Sequence, residues 1–248
     1  MTLFTTMSAI KTEPFRFKQF TIEQDRCVMK IGTDGVLLGA WADVSGTNSI
    51  LDIGSGTGVV AVMLAQRSDA SLIQGVEIDR KTFEQAKENM QQCPWQDRLT
   101  AIHTSIQDYV QTTNLQYDLI VSNPPFFSGG TFSKSHDKNS VRHTVKLSHG
   151  DLLISVRTLL EKQGKFCLIL PLIEGLRFQE LARSYHLHCT KMTEVIPKSG
   201  KRVERLLLQF EKMPKPMEKS RLLMRTREGE NNWTEEYKAL TGGFYLKM

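Results

Sequence analysis

Short apolar runs alternate with amphipathic segments from about residue 50 to residue 210. Apolar runs of this length, bounded by turn residues, are typical of buried strands, and the segments between them have apolar positions at helical spacing. The pattern predicts seven strands: Ser49–Ile53, Leu72–Glu77, Leu99–His103, Tyr117–Ser122, Lys165–Leu170, His186–Ile196 and Val203–Phe210. It predicts four helices between them: Gly58–Arg67, Arg80–Gln92, Ser148–Leu160 and Glu174–Ser184. The fold class is therefore α/β, with a mostly parallel seven-stranded sheet, a C-terminal antiparallel hairpin and helices on both faces.

The residues on either side of this alternation predict smaller additions. Phe15–Ile22 and Cys27–Ile31 predict the two strands of a hairpin, and Thr33 or Asp34 is expected to cap a helix that runs to Asp43. A further strand and a short helix are predicted after the core, at Arg221–Thr226 and Trp233–Leu240. With no repeat or long linker, we expect a single domain over residues 1–248. It comprises an N-terminal hairpin and helix (1–45), a core (46–212) and a C-terminal extension (213–248).

The charge of the chain is concentrated near its C-terminal end. The whole chain has a net charge of +5. Lys191–Arg227 contains eleven Lys and Arg against four Glu, a net charge of +7, so the remaining residues carry a net charge of −2. This asymmetry favours a polyanionic partner, although a solvated basic surface is the alternative interpretation. The four cysteines show no paired short spacing, and we find neither a signal peptide nor a membrane span. We therefore expect a cytoplasmic protein with reduced thiols.

The turn between the first core strand and the first core helix reads Asp52-Ile-Gly-Ser-Gly-Thr-Gly58. Glycines allow positive φ and leave no side chain, so the backbone can approach a ligand closely, and the helix N-terminus behind them offers free N–H groups. The dinucleotide fingerprint is not met because Val59 follows Gly58, and the Gly-Lys-Ser/Thr of a phosphate loop is absent. The segment resembles the first motif of the class I S-adenosylmethionine-dependent methyltransferases, whose fold is Rossmann-like.

That resemblance implies a set of cofactor contacts. It places three glycines against the methionine half and the ribose of S-adenosylmethionine, namely Gly54, Gly56 and Gly58. It also implies that Asp52 helps hold the amino-acid end of the cofactor and that Asp108 pairs with its adenine amino group. Glu77 ends the second core strand, where an acid can accept hydrogen bonds from both ribose hydroxyls. Asp79 is expected to cap the helix that follows.

The fourth core strand leads into Asn123-Pro124-Pro125-Phe126. Two consecutive prolines make a rigid corner, and an Asn side-chain oxygen and the Pro124 carbonyl can together accept both hydrogens of one amino group. An aromatic ring beside them can stack on a flat base or amide. Such acceptors localise the nitrogen lone pair and aim it at a methyl group. The tetrapeptide therefore predicts amino-group methyl transfer with these four residues as the catalytic set and Asn123 also bordering the cofactor.

The tetrapeptide resembles the Asn/Asp-Pro-Pro-aromatic motif of amino-group methyltransferases. Members act on adenine N6 in DNA or RNA, on guanine N2 in ribosomal RNA, or on a glutamine of release factors. Fewer than forty residues follow Phe210, which leaves little room for the recognition domain of the DNA enzymes. The leader is short and strand-like, and Phe126 stands where release-factor enzymes have Tyr. The guanine-N2 and glutamine enzymes remain as alternatives, together with a non-catalytic RNA-binding scaffold.

Most of residues 15–212 also resemble the bacterial tRNA(Val) adenine-N6 methyltransferase family. The resemblance rests on Phe20–Trp41, Asp52–Gly58 and Asn123–Gly130, and it extends through Arg142 and His143 to Pro197–Arg205. It implies methylation of adenosine 37, immediately 3′ of the anticodon of tRNA1(Val). It further implies that a hairpin around Lys30–Asp34 helps cover the cofactor through Gly32, Thr33 and Asp34.

A long basic loop, Phe126–Lys146, follows the corner. We expect it to order over a flipped-out adenine, since RNA enzymes favour unstacked loop nucleotides. Candidate RNA contacts are three residues of this loop and three of the final hairpin: Lys134, Arg142, Lys146, Lys198, Lys201 and Arg202. The expected partner is tRNA through its anticodon loop, with no obligate protein partner. No metal is expected either, because His186-Leu-His-Cys189 has no further ligand pair at suitable spacing.

Overall fold

The computed structural model describes residues 13–27, 29–125, 147–226 and 232–247, and ten strands and seven α-helices lie within these ranges. The strands are β1 Phe15–Arg16, β2 Thr21–Ile22, β3 Ser49–Ile53, β4 Leu72–Glu77, β5 Leu99–His103, β6 Tyr117–Ser122, β7 Leu160–Pro171, β8 His188–Ile196, β9 Arg205–Glu211 and β10 Glu218–Leu223. The helices are α1 Thr33–Trp41, α2 Val59–Arg67, α3 Arg80–Gln92, α4 Ile106–Thr112, α5 His149–Leu159, α6 Leu172–Ser184 and α7 Glu235–Thr241.

The main sheet has eight strands in the order β10-β8-β9-β7-β6-β3-β4-β5. Strands β3 to β7 are parallel, whereas β9 is antiparallel to both β7 and β8. The predicted α/β class with a C-terminal antiparallel hairpin is therefore confirmed. The eighth strand, β10, pairs in parallel with β8 and forms one edge. We predicted it three residues too late, because Glu218–Arg221 are exposed and carry the polar side chains that are usual on a sheet edge.

The central strands are buried on both faces of the sheet. Ile50 and Leu119 pack in the cluster that contains α1, α2 and α7, while their neighbours Leu51 and Ile120 pack in the cluster that contains α4, α5 and α6. Strands covered on both sides must be apolar at successive positions. This explains why the bounds predicted for β3 and β6 agree with the structure; those predicted for β4 and β5 agree as well.

The predicted N-terminal hairpin is wrong in its pairing. β1 pairs with β2 in the register Phe15↔Ile22, so the single strand predicted at residues 15–22 is itself the hairpin. The described residues of the predicted strand Cys27–Ile31 are not a strand. Residues 23–26 instead lie against α3: the buried Asn89 side chain exchanges hydrogen bonds of 2.9 Å with both the N–H and the carbonyl of Glu23, and the Arg26 N–H donates to Gln85 Oε1 at 3.0 Å.

Helix α1 begins without the predicted side-chain cap. Gly32 is its N-cap residue, and neither Thr33 nor Asp34 accepts a capping hydrogen bond. The carboxylate of Asp34 instead accepts a hydrogen bond of 2.9 Å from Arg205 Nε. The helix ends at Trp41, two residues before the predicted end at Asp43.

Residues 242–245 fasten the N-terminal hairpin. Lys18 donates its backbone N–H to the Phe244 carbonyl at 2.8 Å and its Nζ to the Gly242 carbonyl at 2.6 Å. Phe17 forms a bridge with Tyr245 and stacks on its ring. The two distant ends of the described chain are thus joined beside α1 and α2. Among the helices in the described ranges, none has the length and apolar character that crossing a bilayer requires.

Candidate active site

The carboxyl ends of β3 and β6 bring the two sequence motifs together. Strand order reverses at β3, because β4 and β5 lie on one side of it and β6 and β7 on the other. Ligands of open α/β sheets bind at such a reversal point, beyond the carboxyl ends of the strands. The register pairs Ile53 with Ser122, and Ser122 Oγ donates to the Ile53 carbonyl at 2.9 Å. The glycine turn after Ile53 therefore lies next to Asn123.

Three glycines of the turn have left-handed backbone angles, with φ of 70° at Gly54, 55° at Gly56 and 81° at Gly58. The Gly54 and Ser55 N–H groups donate to the Val76 carbonyl, which fixes the turn to β4. Among the described residues, a side-chain carbon built on Gly54 or Gly56 would meet nothing within 4 Å, whereas one on Gly58 would lie 3.3 Å from Met90 Cε. Gly54 and Gly56 therefore border open space, and Gly58 packs against α3.

Gly58→Ala is expected to destabilise the protein by about 1–2 kcal/mol, the usual cost of a left-handed conformation at a residue with a side chain. The crowding by Met90 acts in the same direction. Gly243→Ala is the matched control, since its added methyl group would meet nothing within 4 Å and its φ is not positive. Chemical denaturation of both variants measures the difference, and equal stabilities would contradict the expectation.

Glu77 links the glycine turn to the end of β4. Its Oε2 accepts from the Gly56 N–H at 3.0 Å and its Oε1 accepts from the Asp79 N–H at 2.9 Å. Each carboxylate oxygen can accept a second hydrogen bond, so ribose hydroxyls could still bind there. The capping role predicted for Asp79 is confirmed, because its Oδ1 accepts from the Thr82 N–H at 2.9 Å.

Asp52 is a fully buried acid, with 1% of its surface exposed. Burial raises the pKa of its carboxyl to about 7, and the nearby charge of Glu77 acts in the same direction, while a hydrogen bond from the Ala61 N–H opposes them. Within the described part of the chain, Asp52 Oδ2 has no hydrogen-bond partner, and neither does Ser55 Oγ. Buried polar atoms without partners are rare in folded proteins, so these atoms indicate a binding site for a polar or cationic group.

The proline corner leaves one strong acceptor unused. Asn123 is half-buried, and its Oδ1 is buried without a hydrogen-bond partner among the described residues. Helix α1 packs behind the amide, because a side-chain carbon built on Gly35 would lie 3.8 Å from Asn123 Nδ2. Pro124 is buried and Pro125 is exposed. Phe126, the fourth residue of the predicted catalytic set, lies outside the described residues.

Asp108 lies in the first turn of α4, a helix that the apolar pattern did not predict. Its N–H donates to Ser105 Oγ at 3.0 Å, and Ser105 Oγ donates to Asp108 Oδ2 at 2.6 Å. The side chain is exposed, and one of its oxygens is engaged in this helix cap. The Ser-x-x-Asp spacing is a capping signal that sequence reasoning could have used. The contact of Asp108 with the cofactor remains a prediction.

A cavity of about 380 Å³ lies beside Asn123, between the start of α1 and the β8–β9 connection. The three residues predicted to cover the cofactor line it: Gly32, Thr33 and Asp34. Arg205 also lines it and forms an ion pair with Asp34, with 29% and 21% of the two side chains exposed. Sequence reasoning did not identify Arg205 as a site residue, because no local signal links it to a residue so distant along the chain.

The β8–β9 connection carries the basic residues predicted to contact RNA. Lys198, Lys201 and Arg202 are exposed, and the Lys201 N–H donates to the Lys198 carbonyl in a turn that contains Gly200 at φ 82°. Within the described ranges none of these three side chains forms an ion pair, whereas neighbouring Arg221 pairs with Glu194. The other three candidates, Lys134, Arg142 and Lys146, lie outside the described residues, as does the rest of the predicted loop 126–146.

The described residues contain no cluster of three or more His, Cys, Asp or Glu side chains suited to a metal ion.

A glycine turn and an Asn-Pro-Pro corner at the reversal point of a mostly parallel sheet define a class I methyltransferase. The family described as methyltransferase small domain matches residues 31–168. The tRNA1(Val) (adenine(37)-N6)-methyltransferase of Mannheimia succiniciproducens is 42% identical over 239 residues, which cover 96% of each chain. That of Trichodesmium erythraeum is 44% identical over 94% of this chain and 98% of its own. The chain belongs to the tRNA1(Val) (adenine(37)-N6)-methyltransferase family within the methyltransferase small-domain group.

A crystal structure from Agrobacterium tumefaciens has the same fold. It is described as a predicted O-methyltransferase and superposes with a TM-score of 0.67 at 17% identity, over 85% of this chain and 96% of its own. At this identity the likeness concerns the fold alone. The eight-stranded sheet and its flanking helices are therefore a methyltransferase architecture.

Proposed function

We propose that this chain transfers a methyl group from S-adenosylmethionine to N6 of adenosine 37 in tRNA1(Val). The observation that carries the proposal is the Asn123 Oδ1 atom, which has no partner among the described residues. It lies at the carboxyl ends of β3 and β6, beside the glycine turn. An amino nitrogen offers two hydrogens to such an acceptor and its neighbouring Pro124 carbonyl. The relatives named for this reaction match nearly the whole chain.

The residues around the glycine turn fit S-adenosylmethionine. Open space lies over Gly54 and Gly56, so the backbone can contact the cofactor directly. The buried Asp52 carboxylate, with its unpartnered oxygen, is suited to the ammonium group of the cofactor's amino-acid end. We assign the ribose hydroxyls to Glu77 and the adenine amino group to Asp108. The cofactor supplies a methyl group activated by a positively charged sulfur.

The corner residues prepare the nucleophile. The lone pair of an exocyclic amino group is delocalised into the base, so the nitrogen attacks poorly. Hydrogen bonds from N6 to Asn123 Oδ1 and to the Pro124 carbonyl favour a tetrahedral nitrogen and direct its lone pair at the methyl carbon. Bound S-adenosylmethionine would give its methyl group to N6 and leave as S-adenosylhomocysteine, and the methylated nitrogen would lose its extra proton to solvent. In this proposal Pro125 keeps the corner rigid and Phe126 stacks on the base.

The anticodon loop is the part of tRNA that we expect at this site. Its nucleotides are unstacked at lower cost than those of a duplex, which favours extrusion of the target base. Six basic residues are assigned to the RNA backbone: Lys134, Arg142, Lys146, Lys198, Lys201 and Arg202. The last three are exposed on the β8–β9 connection, which also borders the cavity beside Asn123.

Replacing Lys198, Lys201 and Arg202 together by glutamine is expected to weaken tRNA binding and to reduce its salt dependence. Each lost phosphate contact should lower the slope of log affinity against log salt by roughly 0.7–0.9. Binding titrations at several KCl concentrations measure both effects. The matched control replaces Lys87, Lys162 and Arg177, which are also exposed and lie on α3, β7 and α6. Equal slopes for the two triple variants would contradict this assignment.

The reaction itself is tested with labelled S-adenosylmethionine and unmodified tRNA1(Val), with 16S and 23S ribosomal RNA as competing substrates. We expect labelled N6-methyladenosine from tRNA1(Val) and none from a transcript with guanosine at position 37. Labelled N2-methylguanosine from ribosomal RNA would favour the guanine-N2 alternative. Cofactor binding without transfer to any RNA would refute the proposal and favour a protein substrate or a non-catalytic scaffold.

A further inference from the structure

The cavity beside Asn123 is lined by residues other than those of the glycine turn. Its described lining comes from the start of α1, from the β8–β9 connection and from Met29 and Met224. Gly54, Gly56 and Glu77 do not line it. Asn123 belongs to its wall and also adjoins the glycine turn through the pairing of β3 with β6. Two spaces therefore meet at the Asn123 side chain.

Methyl transfer requires two ligands that meet at one point. If the space over Gly54 and Gly56 takes the donor, the acceptor must approach Asn123 from the other side. The cavity there, at about 380 Å³, falls within the roughly 300–1,000 Å³ of small-molecule sites. Such sites combine apolar walls with a few fixed polar groups. Apolar side chains of Leu37, Val195 and Met224 form part of its wall.

The polar part of the wall is held in place by an ion pair. Arg205 Nε donates to Asp34 Oδ2 at 2.9 Å, and its Nη1 donates to the Glu204 carbonyl at 3.2 Å. Two contacts on different atoms fix the plane of the guanidinium. Asp34 lies in the first turn of α1 and Arg205 begins β9, so the pair also links two sides of the cavity.

We infer that this cavity receives the target adenosine and that Arg205, oriented by Asp34, is a positioning residue for it; the inference rests on the proposed function. Adenine presents acceptor nitrogens on either side of its N6 amino group, and the guanidinium offers donors that match them. While Asn123 and Pro124 hold the N6 hydrogens, Arg205 fixes the rotation of the ring in the cavity. Asp34 then serves the acceptor side of the reaction rather than the cofactor.

The first test fills the cavity from its rim. Met29 lines the cavity with 52% of its surface exposed, so Met29→Trp can add bulk without disturbing the core. Met213→Trp is the matched control, because Met213 is 53% exposed and follows β9 at the opposite end of that strand from Arg205. We expect kcat/KM for tRNA to fall at least tenfold in Met29→Trp and to stay within twofold of wild type in the control, with the dissociation constant for S-adenosylmethionine unchanged in both.

The second test removes the guanidinium. Arg205→Met is expected to lower kcat/KM for tRNA about tenfold or more, the usual effect of losing a hydrogen bond to a charged group. The dissociation constant for S-adenosylmethionine should stay within twofold, which a general loss of structure would not allow. Arg205→Lys keeps a cation beside Asp34 and should recover part of the rate. Loss of cofactor affinity in parallel with the rate would place the ion pair on the cofactor side and overturn the inference.

The outcomes separate this inference from the proposed function. Wild-type transfer to tRNA1(Val) with undiminished rates in Met29→Trp and Arg205→Met overturns the inference and leaves the function standing. No transfer by the wild-type protein to any tRNA overturns both. Transfer by the wild type, impaired in both variants at unchanged cofactor affinity, supports both.

Discussion

Replacing Asn123 by alanine is expected to lower the rate of methyl transfer to tRNA by about a hundredfold or more, because misorientation of a reacting group carries a penalty of that size. Asn123 Oδ1 has no hydrogen-bond partner in the described chain, so its removal breaks no internal contact of that atom. The free energy of unfolding should therefore change little, and cofactor affinity should fall much less than the rate. Transfer assays and cofactor titrations measure the two quantities.

Asn123→Asp is the matched control for this prediction. It keeps an acceptor oxygen at the same place and with nearly the same volume. We expect it to retain far more activity than Asn123→Ala. If both variants lose activity equally, or if the rate falls only in proportion to cofactor affinity, the acceptor role of Asn123 is wrong.

Asp52 should make cofactor binding depend on pH around neutrality. Burial raises the pKa of its carboxyl to about 7, so the group is largely protonated below that pH in the cofactor-free protein. The ammonium group of the cofactor's amino-acid end prefers the ionised carboxylate, so cofactor binding must release the proton from Asp52. Affinity for S-adenosylmethionine is expected to rise as pH increases from about 5.5 to about 7.5, by up to tenfold per pH unit, and then to level off. Calorimetric titrations across this range measure both the affinity and the released proton.

Asp52→Asn should remove this dependence and weaken binding above pH 7. The same residue affects folding, because its pKa is 3.8 in the unfolded chain and about 7 in the folded one. The folded state binds the proton more tightly, so this group lowers the free energy of unfolding as pH rises from about 4 to about 7. Asp52→Asn should abolish that decline in the cofactor-free protein. Asp97→Asn, at an exposed position, is the control, and a wild-type profile in Asp52→Asn would contradict the prediction.

The catalytic motifs could be found from sequence because each lies within a few adjacent residues. Gly54–Gly58 and Asn123–Pro125 each follow a strand that is buried on both faces, so their placement at the carboxyl ends of neighbouring strands followed from the apolar pattern. The strand alternation also predicted β3 to β6 correctly. What the sequence pattern could not supply was the packing between elements.

The errors have the same physical origin. Nothing local indicates that the chain after β2 binds α3 through Asn89 and Gln85, so a second hairpin strand was predicted at Cys27–Ile31. The short helix α4 is stabilised by the Ser105 cap more than by an apolar stripe, and only Ile106 and Tyr109 of its residues are buried. The Asp34–Arg205 pair joins residues that are far apart along the chain, and only the folded sheet brings them together.

The anchoring of Lys18 by residues 242–245 has a consequence for the order of events during protein synthesis. The β1–β2 hairpin is synthesised early. Glu23, which follows it, can bind Asn89 only once α3 has been made. The carbonyl groups that bind Lys18 exist only after Gly242 and Phe244 have been translated. Domains tend to fold from the N-terminus onward during synthesis. The β1–β2 hairpin, in contrast, cannot reach its final position until translation of the described chain is almost finished.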